Sequence, residues 1–153
     1  MTHRTLVMLA GAGSLYLLMA AFGFQVLGYA PCKLCLWQRW PHAAAVVIAG
    51  AVLLWGLRPL AWAGALAALA TAGIGAYHTG VERGWWEGPT SCSGGGSGLG
   101  GLSGDALLSL DAAPAIVMCD EVAWQMFGLS MASWNALASL ILAGIWIMAA
   151  RRA

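Results

Sequence analysis

The stretch TLVMLAGAGSLYLLMAAFGFQVLGYAPC, residues 5–32, carries no charged side chain over the 28 positions between Arg4 and Lys33. A helix needs about 20 mostly apolar residues to cross the hydrocarbon of a bilayer. Three more gaps are of the same kind: 18 residues between Arg39 and Arg58, 23 between Arg58 and Glu82, and 29 between Glu121 and Arg151. Backbone groups in lipid must be satisfied within their own segment, so the gaps read as four helices, over about 6–28, 38–57, 60–80 and 130–150. The composition agrees. The 153 residues are 61% hydrophobic and 8% charged, with a mean hydropathy of +0.78. A soluble domain carries about 25% charged residues, and thirteen charges cannot cover a globule of this size. The same apolar excess excludes a disordered chain. A net charge of +1 without a basic cluster excludes a nucleic-acid binder. The expected fold class is all-α: a single integral membrane domain over 1–153, built as a four-helix bundle with a long loop between helices 3 and 4.

Tryptophans 37, 40, 55, 62, 85, 86, 124, 134 and 146 fall near the predicted span ends, where amphipathic rings settle at a membrane interface. Gly28-Tyr29-Ala30 has the form of a small-x-small cleavage site. The apolar stretch before it exceeds the 7–15 residues of a signal-peptide core, however, and Pro31 follows directly, so the segment is expected to remain as a helix. Pro59 suits the first turn of the third helix. Pro41 fits either the first turn of the second or a kink within it.

Four spans put both termini on one side and two loops, about 29–37 and 81–129, on the other. Arg4, Arg58, Arg151 and Arg152 lie on the terminal side, against Lys33, Arg39 and Arg83 opposite. This slight basic excess assigns the termini to the cytoplasm. All six acidic residues, Glu82 to Glu121, fall in the second of these loops, which must be wet. Its stretch 93–104, SGGGSGLGGLSG, reads as flexible coil, and no lysine or following helix turns it into a phosphate loop. Short interfacial helices are expected over 106–110 and 120–127.

Cys32 and Cys35 lie in the first loop, Cys92 and Cys119 in the second, so parity puts all four in one compartment. An extracytoplasmic compartment is oxidising. Of the three possible pairings, proximity favours Cys32–Cys35, leaving Cys92–Cys119. The first pair forms a Cys-x-x-Cys unit just before a helix, whose N-terminal partial charge stabilises a thiolate. Lys33 lies between the sulfurs, and Arg39, at i+4, shares the face of Cys35. Such a small ring suits exchange more than stapling. The second pair brackets 26 residues, and closing that loop contributes roughly 3 kcal/mol in the chain-entropy model. Staple and redox relay both remain open for it. A zinc site asks for a second close pair or for histidines at ligand spacing. Cys92 and Cys119 are far apart and His42 and His78 lie in helical segments, so no metal is expected. A redox pair at the lipid interface can reach a lipid-soluble carrier directly. A quinone is the obvious one, with Arg39 as donor to its oxygen; the plainer reading of Arg39 is interfacial snorkelling.

Pro31-Cys32-Lys33-Leu34-Cys35, Gln38-Arg39, Tyr77-His78, Cys92, and the stretch from Cys119 to Met131 together resemble the bacterial DsbB family of disulfide bond formation proteins. The resemblance runs from the first helix to the last. It implies an inner-membrane bundle with both cysteine pairs facing the periplasm. It implies that ubiquinone or menaquinone oxidises the first pair, with Cys35 nearest the quinone and Arg39 beside it. Cys32 then exchanges with Cys119, and Cys92 forms the mixed disulfide with the dithiol oxidase DsbA. His78 resembles a histidine that the family places near the quinone; its plainer reading is a polar residue at a helix end. Gln38 stands where the family often has Glu, which bears on quinone affinity. The alternatives are a DsbI-like or vitamin-K-epoxide-reductase-like enzyme with another partner, or a non-enzymatic scaffold or chaperone subunit with structural disulfides.

Overall fold

The computed structural model describes residues 1–89 and 118–152. Cys92, the glycine-rich run 93–104 and the short helix expected over 106–110 lie outside the described residues. Four long helices make up the fold: α1 (His3–Val26), α2 (Lys33–Trp55), α3 (Ala61–Glu82) and α4 (Met131–Ala150). Each packs on two neighbours, α1 on α2 and α4, and α3 on α2 and α4, so the four close into an antiparallel ring. The chain is an all-α membrane bundle. α1, the segment Arg58–Glu82 and α4 are each long and apolar enough to cross a bilayer. α2 is equally long, but its first turns carry Lys33, Gln38, Arg39 and His42.

Local chemistry sets the helix ends. The Thr2 hydroxyl accepts from the amide of Thr5, the Cys32 sulfur from that of Cys35, and the Ser130 hydroxyl from that of Ser133. These bonds satisfy amides that a first turn leaves open. Because Cys32 itself is the cap, α2 starts at Lys33, ahead of the span read from residue 38. The helix runs on through Pro41, well past its first turn. Gly56 ends α2, and a 3-10 turn over Arg58–Leu60 leads into α3. The helix expected over 120–127 is instead the start of a hairpin. Gln125–Met126 pairs antiparallel with Leu129–Ser130. Phe127 (φ 54°) and Gly128 (φ 75°) form the turn, and two consecutive positive φ values stop a helix and suit a tight hairpin.

Alanines make up much of the core, and many large apolar residues face outward. Ala10, Ala49, Ala61, Ala65, Ala68, Ala143 and Ala149 line the core, whereas Leu54 (77% exposed), Tyr16 (74%) and Val47 (72%) point away from it. Lipid solvates large apolar side chains, so close backbone packing decides which residues turn inward. Gly64 shows this in the core: a Cβ there would lie 2.6 Å from the ring of the fully buried Trp146. Gly64→Ala should destabilise the bundle by about 1–3 kcal/mol through overpacking. The matching control is Gly73→Ala, where a Cβ meets nothing within 4 Å. Thermal unfolding in detergent should show a lower Tm for the first variant and none for the second.

Candidate functional site

The two sulfurs of the Cys-x-x-Cys unit occupy different positions on α2. Cys32 is the N-cap, and Cys35 completes the first turn. The cap bond, from the Cys35 amide to Cys32 Sγ, is 3.3 Å long. Cys32 Sγ in turn donates to Cys35 Sγ at 3.0 Å, which makes the two thiols unequal. That hydrogen bond and burial push the Cys32 thiol up to about 12. The same bond, accepted by Cys35, holds the Cys35 thiol below its usual value against the opposing effect of burial. The proton therefore sits on Cys32 and the charge develops on Cys35.

Alkylation reads this asymmetry, because the thiolate is the reactive form. In reduced protein carrying Cys92→Ser and Cys119→Ser, Cys35 should react first, its rate rising at lower pH than that of an ordinary thiol. Cys32 keeps its proton until pH approaches 12 and should lag throughout. Equal rates, by peptide mass spectrometry across a pH series, would contradict the assignment.

Around the pair, the fold gathers residues from three helices and one loop. Cys32, Leu34, Val81 and the fully buried Cys119 form one apolar cluster, with Cys35 packed against it. His78 of α3 comes in from the side. Its Nε2 lies 3.6 Å from Cys32 Sγ and donates to the carbonyl of Cys119 at 3.2 Å. Its Nδ1 accepts from Gln38 Nε2 at 3.1 Å. Gln38 Oε1 accepts from Asn135 Nδ2 at 2.7 Å, and Asn135 Oδ1 accepts from His42 Nε2 at 2.9 Å. Read from His42, every donor points toward the thiols, which sets both histidine tautomers in the neutral rings. Thr71 supports the chain by donating to the Gln38 carbonyl at 3.1 Å. Glu82, one turn beyond His78, places Oε1 3.8 Å from His78 Nε2, and its other oxygen accepts from the Ser130 hydroxyl.

A cavity of about 400 Å³ opens beside this cluster, between α1, α2, α4 and the hairpin loop. Small-molecule sites occupy about 300–1,000 Å³ and are mostly apolar with a few polar groups. Phe24 and Trp134 line this one, with Cys35, Gln38, Arg39 and His78 as its polar side. Arg39 donates to Gln25 Oε1 at 2.8 Å and to the Ala21 carbonyl at 3.3 Å, and sits 4.7 Å from the Phe22 ring centroid. Its Nε is buried and has no hydrogen-bond partner among the described residues. A carbonyl oxygen entering the cavity fits that donor set.

Of the residues singled out from sequence, Cys32, Cys35, Cys119, Gln38, Arg39 and His78 share this site. Lys33 turns away, with its ammonium 5.6 Å from the centroid of the Trp37 ring. The chain spacing gave no reason to join His78 to the thiols, because 46 positions separate it from Cys32. Glu82, Asn135, Thr71 and His42 were missed as members. A signal for three of them existed: Asn135, Thr71 and His42 are polar residues inside apolar spans, where polarity marks function.

The family described as "Disulfide bond formation protein DsbB" matches residues 3–149. A curated relative, "Disulfide bond formation protein B" of Albidiferax ferrireducens, is 32% identical over 148 residues, covering 88% of this chain and 83% of that protein. No solved structure matches.

Proposed function

The chain belongs to the DsbB family of membrane disulfide bond formation proteins, and on that premise we propose that it is an inner-membrane thiol:quinone oxidoreductase that reoxidises a periplasmic dithiol oxidase of DsbA type. The observation that carries this reading is the division of the Cys32–Cys35 pair. Both residues border the cavity, but Cys32 is buried beside Cys119, while Cys35 is the more exposed of the two and holds the charge.

The relay follows from thiolate chemistry. A partner thiolate attacks Cys92 of a Cys92–Cys119 disulfide and releases the Cys119 thiolate. Cys119 attacks Cys32 of the Cys32–Cys35 disulfide. The Cys119–Cys32 bond forms, and Cys35 leaves with the electron pair. A thiol of low pKa is the better leaving group, and the lowered value of Cys35 makes this the favoured direction of cleavage. The remaining partner thiolate resolves the mixed disulfide with Cys92 and leaves as part of the partner's disulfide. Cys92 then attacks Cys119, restoring that disulfide, and Cys32 departs and takes up the proton. His78 Nε2–H, within reach of Cys32 Sγ, stabilises the sulfur while it is anionic. A quinone in the cavity supplies the terminal oxidation, taking two electrons and two protons from the dithiol. Arg39 would hold its oxygen, and Gln38 and His78 would complete the polar side of the cavity.

In this reading all four helices span the membrane, α2 included, because its polar groups turn onto one another. The termini are cytoplasmic and the cysteines periplasmic. The test is a purified assay with a reduced DsbA-type protein and a water-soluble quinone, following quinone absorbance. Turnover is expected only when both are present. Oxidation of the partner at full rate without quinone would sink the proposal.

A further inference from the structure

We infer that the dithiol form of the Cys32–Cys35 pair, together with His78, is a binding site for one thiophilic divalent cation of the zinc type, and that closing the disulfide abolishes it. The ligand atoms of these three residues all lie within 4.8 Å of one another. With bonds of about 2.3 Å to sulfur and about 2.0–2.1 Å to nitrogen, a tetrahedral centre separates S from N by about 3.5 Å and S from S by about 3.8 Å. Cys32 Sγ and His78 Nε2, at 3.6 Å, already meet that requirement. The two sulfurs, at 3.0 Å, have to part by about 0.8 Å. Cys32 lies outside the helix as its cap, so side-chain rotation at the first turn supplies this movement.

The donor set selects the ion. Two thiolates and one imidazole suit zinc and its heavier relatives and disfavour magnesium or calcium. The Glu82 carboxylate, 3.8 Å from Nε2, adds negative charge beside the site, and water or this carboxylate completes the tetrahedron. The cavity that borders Cys32, Cys35, His78 and Glu82 provides the entry path. Binding exchanges the protons of the two thiols for the cation and changes no oxidation state. It also moves the imidazole proton to Nδ1, where Gln38 must turn its amide to accept it; that reorganisation opposes binding. A pair held in this way cannot close its disulfide, so the ion would lock the protein in its reduced state.

Binding is measured without quinone or partner, so the outcome is independent of the proposed function. The probe is Cd²⁺ added to full-length protein in detergent, with Cys92→Ser and Cys119→Ser leaving Cys32 and Cys35 as its only thiols. The reduced protein should take up one equivalent, with a cadmium–thiolate charge-transfer absorption that Zn²⁺ displaces. Oxidation of the pair with diamide should abolish the signal. His78→Ala should weaken binding by about tenfold or more, and Gln38→Glu, which supplies a carboxylate to accept Nδ1–H, should tighten it by about tenfold. Uptake that survives diamide would overturn the inference. So would parent-like affinity in both variants, which would mean chelation by a dithiol alone.

Discussion

Cys35→Ser is expected to abolish quinone reduction by a reduced DsbA-type partner, leaving only the uncatalysed rate. Cys35 is the sulfur that carries charge and borders the cavity, and serine neither forms the ring disulfide nor leaves with an electron pair. The variant should also lose the hydrogen bond that raises Cys32, since a hydroxyl does not offer the same anionic acceptor. Cys32 therefore becomes a more ordinary thiol. In an oxidising medium it should accumulate as a Cys32–Cys119 disulfide, because the two sulfurs share one buried cluster and the competing partner has gone. Non-reducing peptide mass spectrometry reads that product directly. Full turnover by Cys35→Ser would remove the enzymatic reading and return the family fold to a scaffold with structural disulfides.

Arg39→Ala should raise the KM for quinone by about 10- to 100-fold, the equivalent of the 1.5–3 kcal/mol of a charged hydrogen bond. The KM for the thiol partner should stay unchanged, because the hydrogen bonds of Arg39 run to Gln25 and Ala21 of α1 and none reaches Cys32 or Cys119 among the described residues. Arg39→Lys should recover part of the loss as a point charge without the planar fork. The guanidinium also ties α2 to α1 through Gln25 and Ala21, so a purely structural role has to be separated. Gln25→Ala removes the first of those ties and keeps the guanidinium. Its quinone KM should remain near that of the parent. A quinone KM unmoved by Arg39→Ala would leave Arg39 as an interfacial residue that anchors two helices.

Much of the bundle is legible along the chain because burying a charge in lipid is costly wherever it sits. The charge-free gaps therefore mark the helices whatever their neighbours are. Helix ends are less legible. The sulfur of Cys32 took the role that Ser or Asn usually holds, and α2 began at Lys33. Phe127, a residue with no bias toward positive φ, joined Gly128 in a turn and displaced the expected amphipathic helix. The placing of the thiols was also legible, because Cys-x-x-Cys before a helix is a local motif. The sequence alone determined the membrane class, the four helices and the place of the first cysteine pair at a helix start.

Which faces of those helices meet was decided only by the tertiary structure. In a soluble bundle the polar face of each helix reveals its rotation. In lipid the outer face is apolar too, and rotation is set by where alanines and glycines allow backbones to approach, as at Gly64 against Trp146. That packing turned His78 toward Cys32 across 46 positions and aligned Gln38 with Asn135 across 97. It also left the cavity between α1, α2 and α4, with Cys35 on its wall. These are long-range consequences of steric fit, which no local spacing encodes.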